Sequence, residues 1–235
     1  MKIFLSYIRG NNISLIKTLI FNFKALPIKS ALKLPFIVGK NVEIRNMGTI
    51  EVMCDIKTAM FTIGCKFNSG WETYKESKTI FYNKGRIKLY GCWNVYSGAK
   101  ICVNENGILL FLGYNNVGCK NKIICYEKII FEKDASLSWE CEVFDTNFHN
   151  LKDMYSNKIM KKNAAVKIGE GTFIGNNASI HPGTIIPKGC VICSFSRVQG
   201  SFVKNGENLL ILGNPAKVVD GGYKMLIKEF RDYEE

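Results

Sequence analysis

The chain has 235 residues, 47% of them hydrophobic, which is ordinary for a soluble globular protein and enough for one large core or two small ones. Its 32 Lys and Arg against 20 Asp and Glu give a net charge of +12, which favours anionic partners such as nucleic acid, an anionic membrane face or a phosphorylated cofactor. No RNP-like, helix-turn-helix or zinc-finger pattern accompanies that charge, so nucleic acid is not expected as a partner.

The first element, within residues 1–34, reads "MKIFLSYIRGNNISLIKTLIFNFKALPIKSALKL". Ile13, Leu15, Ile16, Leu19, Ile20, Phe23 and Leu26 recur at three- and four-residue spacing with Lys17 and Lys24 between them, which predicts an amphipathic helix ended near Pro27. No uninterrupted apolar run approaches the roughly 20 residues that span a bilayer, and no small-residue cleavage site follows. Two readings stand: a helix that covers the open end of the domain behind it, or a basic interfacial helix that holds the protein peripherally at a membrane.

From about residue 35 to 220 the pattern changes to short β-type runs punctuated by Gly and Asn, such as "GRIKLYG" and "AKICVNENGILLFLGYNNVG", with no linker. Trp71, Trp93 and the stretch "GWETYKESKTIFYNKG" offer aromatic surface either to a ligand ring or to the core. The nine cysteines (54, 65, 92, 102, 119, 125, 141, 190 and 193) are scattered through these runs and read as reduced, mostly buried thiols of a cytoplasmic protein. Cys190 and Cys193 form a lone C-x-x-C without a second pair or a histidine at zinc spacing, so no metal is expected there.

A weak six-residue repeat runs through Phe131, Leu137 and Val143, with Ala135 and Cys141 as small partners. It breaks at "FDTNFHN", and a loop of about 144–166 leaves the pattern, carrying one of the chain's two histidines. The repeat then returns in clean form as IGEGTF, IGNNAS, IHPGTI, IPKGCV, ICSFSR and VQGSFV over residues 168–203. Ile or Val always stands first, and Thr, Ala, Thr, Cys, Ser and Phe202 stand fifth. A period of six is neither helical nor simple strand alternation; it fits short strands with a corner after each, three hexads to a turn, turns about 4.8 Å apart. Gly169, Gly175, Asn176, Asn177, Gly183 and Gly189 are the residues expected to supply positive φ at the corners. The tail, 221–235, "GGYKMLIKEFRDYEE", predicts a C-terminal helix with Tyr223, Leu226, Ile227 and Phe230 on one face.

These hexads, with the ending "GNPAKVV" (Gly213 to Val219), resemble the hexapeptide-repeat acyltransferases, most closely the maltose, galactoside and capsular-sugar O-acetyltransferases. The resemblance implies a mainly β fold, a left-handed parallel β-helix, and a homotrimer with acetyl-CoA lying between neighbouring subunits. It also assigns roles. "FDTNFHN" resembles the D-x-x-x-H stretch of those enzymes, which makes His149 the general base and Asp145, or a backbone carbonyl, the group that fixes its tautomer. By the same carry-over Phe173, Asn176, Ser194 and Lys217 are donor-binding candidates, and Lys204 stands near a lysine of the family whose position here is displaced by the longer stretch after Val198. Where relatives have "GAGS" this chain has "CSFS", so Phe195 replaces a small residue.

The functional expectation is an acetyl-CoA-dependent O-acetyltransferase acting on a carbohydrate hydroxyl by direct transfer, cytoplasmic or at the inner face of the membrane. An N-acetyltransferase of a nucleotide-linked amino sugar and a non-catalytic β-helix scaffold are the alternatives. His181, in the second position of its hexad, reads as a solvated or interface histidine, and two histidines 32 residues apart are too few for a zinc site of the carbonic-anhydrase kind.

Overall fold

In the computed structural model, which describes residues 12–66, 77–223 and 225, the short apolar runs become strands stacked coil upon coil. The first six coils each give one strand to each of three sheets. In the first coil these are Phe36–Val38, Val42–Asn46 and Thr49–Val52; in the fourth, Asn115–Val117, Lys122–Cys125 and Lys128–Phe131. Ladders between successive coils are parallel, and the second sheet carries seven strands, one per coil. The fold is the left-handed parallel β-helix that the hexads and their family resemblance imply.

The shaft is held by like stacking on like. Val95, Val117, Leu137, Ile174, Ile192 and Ile211 form one inward column of the first sheet, and all are almost fully buried. On the third sheet Phe111 and Phe131 stack with centroids 4.9 Å apart and planes 14° from parallel, and the column continues into Ile168 and Ile186. Trp93 is buried with its ring 5.0 Å from Phe111, so it is a core residue and has no face to offer a ligand. Trp71 lies outside the described residues. The fifth hexad positions Thr172, Ala178, Thr184, Cys190 and Ser196 also point inward and are buried. A large and a small side chain per side therefore fill a shaft that is wide and aromatic in its first half and narrow in its second.

The corners differ from the sequence reading in one respect. Positive φ falls at the fourth hexad position, at Gly171, Asn177, Gly183, Gly189 and Phe195. Gly169, Gly175 and Asn176 do not have it. The two glycines answer a different need: a Cβ on Gly169 would stand 2.4 Å from the Pro187 carbonyl carbon, and one on Gly175 2.7 Å from the Ser194 nitrogen. They let the next coil come close. Upstream, Lys120, Asp134 and Glu140 have positive φ three residues after Val117, Phe131 and Leu137, so the same corner recurs where the sequence repeat is weak.

A stack of parallel coils leaves an unpaired strand edge at each end. At the first coil the backbone just before the helix α1 (Leu15–Ala25) pairs with the edge, Ser14 N donating to Val38 O at 2.8 Å, and the helix covers the rest with side chains. Thr18 Oγ1 accepts from Val38 N at 3.0 Å, Asn22 Oδ1 accepts from Phe36 N at 3.0 Å, and Asn22 Nδ2 donates to Phe36 O at 2.8 Å. Between them Phe21 plugs the shaft, 4.9 Å from Phe36 and 5.3 Å from Phe81. Ser14 caps the helix by accepting from Lys17 N. The short helix α2 (Ile28–Ala31) follows Pro27. At the far end Leu209–Gly213 extends the first sheet in parallel, and Ala216–Gly221 folds back antiparallel beside it. The predicted C-terminal helix falls on residues outside those described.

All nine cysteines are free thiols; burial pushes those of Cys65 and Cys141 up to about 12. Among the described residues no helix is long and apolar enough to cross a membrane.

Replacing Asn22 by Ala strands one buried donor and one buried acceptor of the edge strand, each worth about 1–3 kcal/mol when unpaired. Urea unfolding should therefore show Asn22→Ala about 3 kcal/mol less stable than the native protein, while Ile16→Asn, on the outer side of the same helix, should change stability little.

Candidate active site

In the fifth coil the second strand, Glu142–Phe144, is not followed by a tight corner; the third strand, Val166–Ile168, resumes only after an excursion. The neck of that excursion is laced shut. Asn147 N donates to Lys162 O at 2.8 Å and Ala164 N to Asp145 O at 2.9 Å, and Thr146 bridges Asn163. Beyond the neck, Leu151–Lys152 pairs antiparallel with Ile159–Met160. This hairpin presents Leu151, Met154, Tyr155, Ile159 and Met160 to solvent, an unusual amount of exposed apolar surface for one loop.

Asp145 anchors the neck to the coil before it. Its side chain is fully buried. Oδ1 accepts from Tyr126 N at 2.7 Å, and Oδ2 accepts from Glu127 N at 2.8 Å and Lys128 N at 2.7 Å. Three consecutive amides of one corner thus converge on one carboxylate, an arrangement that stabilises the charged acceptor. Burial, and secondarily this carboxylate, push the neighbouring Cys125 thiol up. His149 is exposed, four residues on. Its backbone N donates to Asn147 O at 2.7 Å, and among the described residues its imidazole has no hydrogen-bond partner. The structure therefore does not join Asp145 to His149; the carboxylate is committed to the coil.

Beside His149 the residues that sequence reasoning missed are aromatic. Phe148 has φ of 62°, is exposed, and lies edge-on to Tyr126 at 5.9 Å and to Phe144 at 6.1 Å. Phe144 and Tyr126 belong to strand and corner positions 18 residues apart, so only the stacking of coils reveals the cluster. A shallow cleft next to it is lined by Glu127, Asn150, Lys161, Lys162 and Asn163.

The donor-binding candidates gather elsewhere. Asn176 and Ser194 meet at the corner between the first and second sheets, Ser194 Oγ to Asn176 Oδ1 at 2.5 Å. Phe195 stands on that corner, exposed and with φ of 62°, a conformation costly for a bulky side chain. Phe173 points outward on the first sheet in register with Val191 and then Leu210, giving an apolar strip that the sequence did not single out. Lys217, opposite Leu212 in the terminal hairpin, borders the same sheet. Lys204 lies apart, in the 3-10 turn Val203–Asn205 that follows the second-sheet strand Arg197–Val198. Within one chain, His149 and the Asn176–Ser194 corner therefore occupy opposite edges of the second sheet.

An acyl-CoA donor fits the second of these places: its pantetheine arm needs an apolar strip and its amides need polar partners at the border, and Phe173–Val191–Leu210 beside Asn176 and Ser194 supplies both. His181, also on the second sheet, is half-buried with Nε2 3.2 Å from Ser179 Oγ. Burial, with Arg197 nearby, lowers its pKa, against a smaller opposing effect of Glu142. Among the described residues no three His, Cys, Asp or Glu side chains cluster as metal ligands.

Residues 165–200 match the family described as bacterial transferase hexapeptide (six repeats). The chain is similar to a protein of Escherichia coli (strain K12) provisionally named lipopolysaccharide biosynthesis O-acetyl transferase WbbJ, at 26% identity over 60% of this chain and 81% of that one. It is also similar to an uncharacterized 24.8 kDa protein of the cps region of Klebsiella pneumoniae, at 27% identity over 84% of each. Among solved structures, AntD, an N-acyltransferase from Bacillus cereus in complex with dTDP and 3-hydroxybutyryl-CoA, shares the fold with a TM-score of 0.51 at 14% identity, over 95% of this chain and 96% of that one.

If Asp145 holds the neck rather than taking part in the chemistry, Asp145→Asn should lower stability by about 2–3 kcal/mol, the scale of a charge-assisted buried hydrogen bond, and should speed proteolytic cleavage of the hairpin. Unchanged unfolding with a selective loss of turnover would instead assign the carboxylate to the reaction.

Proposed function

We propose that the protein is an O-acetyltransferase that moves the acetyl group of acetyl-CoA directly to a hydroxyl of a carbohydrate, a surface polysaccharide or a sugar precursor. The observation that carries this reading is the break in the fifth coil, where a stacked scaffold holds out an exposed histidine whose ring has no hydrogen-bond partner among the described residues. A sugar hydroxyl keeps its proton near neutral pH and is a poor nucleophile. His149 removes that proton as the oxygen attacks the thioester carbonyl. The tetrahedral intermediate then collapses with cleavage of the C–S bond, and the imidazolium returns the proton to the leaving thiolate.

The thioester supplies the activated acetyl group; the chain's part is to hold it and to place His149. Phe173, Val191 and Leu210 form the strip for the pantetheine arm, Asn176 and Ser194 the polar border, and Lys217 and Lys204 the cations for its phosphates. Among the described residues no cysteine or serine side chain is hydrogen-bonded to His149, which favours a ternary complex over an acetyl-enzyme. Because His149 and the donor corner lie at opposite edges of one sheet, the complete site is built between copies of the chain. A closed trimer, with each apolar hairpin lying against its neighbour, satisfies both that requirement and the exposure of Leu151, Met154, Tyr155, Ile159 and Met160. The exposed face of Phe148 is placed to stack on the acceptor ring. The free thiols accord with action in the cytoplasm.

Release of CoA thiol, followed with acetyl-CoA and a panel of sugars, nucleotide sugars and amino sugars, tests the reading. His149→Ala should lower kcat/KM by about 100- to 10,000-fold, the usual contribution of a general base, with CoA binding retained. Acceptors with an amine in place of a hydroxyl turning over faster would move the assignment to N-acetylation. Failure of both proteins to bind CoA would leave a binding scaffold.

A further inference from the structure

The helix α1 is amphipathic the wrong way round for an ordinary cover. Its polar residues Thr18 and Asn22 face the coil, because the edge strand needs hydrogen-bond partners there. Apart from Phe21, which enters the shaft, and Ala25, which packs on the core, its apolar residues are left outside. Leu15, Leu19, Ile20 and Phe23 are each nearly half exposed and Ile16 is 72% exposed; Ile28 and Leu32, around α2, are 71% and 67% exposed. A contiguous apolar face of this kind on a monomer marks a contact surface.

The charged residues of this segment are of one sign. Residues 12–42 contain Lys17, Lys24, Lys29, Lys33 and Lys40 and no Asp or Glu. Lys17 donates to the carbonyls of Lys40 and Val42, while Lys24, Lys29, Lys33 and Lys40 are exposed. The face lies beyond the first coil, at the end of the shaft. The loop that carries His149 leaves four coils further along, about 20 Å away at about 4.8 Å per coil, so a partner on this face would leave the site open.

We propose that this face docks the protein on an anionic lipid bilayer surface, with the apolar side chains of α1 and α2 in the headgroup–acyl boundary and the lysines among anionic headgroups. The alternative occupant, the same face of a second copy, would bring the lysines of residues 12–42 against the same lysines, with no carboxylate within that segment to offset them. Docking goes beyond the transferase reading and depends on none of its chemistry. It gives an acceptor carried on a membrane lipid a direct route to a site held about four coils above the surface.

Sedimentation of the full chain with vesicles of neutral phosphatidylcholine, with and without about one third phosphatidylglycerol, tests the proposal. Binding should require the anionic lipid and fall steeply between low and high salt as the headgroup field is screened. Ile16→Asn combined with Ile20→Asn should weaken binding at least about tenfold, the scale of losing two buried aliphatic side chains, and Lys24→Glu with Lys29→Glu should do likewise. Circular dichroism and CoA binding, unchanged in both variants, show that the shaft is intact. Absence of binding to anionic vesicles at low salt would overturn the proposal, as would binding indifferent to these substitutions. A native oligomer that the Ile16/Ile20 variant dissociates would assign the face to a second copy instead. None of these readouts uses turnover, so failure here leaves the transferase reading standing.

Discussion

Everything in this molecule depends on the ladder between coils. Each strand hydrogen-bonds to the strand one coil above and one coil below, and side chains fall on their counterparts because the parallel register repeats. Such a ladder stabilises every coil except the two at its ends, whose outer edges would otherwise remain open to another strand. The two ends are closed by different means. An antiparallel hairpin finishes the last coil, whereas a helix closes the first through Thr18 and Asn22, with the backbone of Ile13 and Ser14 pairing just before it. That choice has an outward consequence, since with Thr18 and Asn22 turned to the edge and Phe21 into the shaft, Leu15, Ile16, Leu19, Ile20 and Phe23 remain outside.

The ladder also decides what may break. A corner can be lengthened without disturbing the stack if the strands on either side keep their register, and the fifth coil does so: Glu142–Phe144 and Val166–Ile168 both pair normally with the coils before and after. Asp145 makes the break stable by binding the three amides of the preceding corner. The loop is thus held at its root, with His149 exposed just beyond it. That is the combination a base on a scaffold requires, because the imidazole must be positioned yet accessible to a hydroxyl.

The shaft from residue 168 onward could be read from the sequence because its coils contain three hexads with nothing added, so Ile168, Ile174, Ile180, Ile186, Ile192 and Val198 keep strict spacing. The first four coils have corners of unequal length, and their inward residues, among them Phe61, Trp93 and Phe111, are aligned by pairing rather than by counting. The helix before Pro27 was legible from its spacing, but not which side it would bury, since that follows from the edge strand's needs. Asp145 is the instructive case at the site. Its position near His149 suggested an orienting partner, while its actual partners, Tyr126, Glu127 and Lys128, are 17 to 19 residues back in the chain. Spacing along the chain cannot show a contact made across a coil. The cluster of Tyr126, Phe144 and Phe148 and the strip of Phe173, Val191 and Leu210 were hidden for the same reason.

The central claim is that the reaction needs two copies of the chain, one presenting His149 and the other the corner of Asn176 and Ser194. Co-expression of two differently tagged inactive variants, His149→Ala and Ser194→Trp, tests it most directly. Mixed oligomers should regain activity, up to about a quarter of the native level for random assembly of a closed trimer in which each site draws one half from each neighbour. Mixed oligomers that carry both tags and remain inactive would contradict the claim, and would place His149 and its donor site within a single chain.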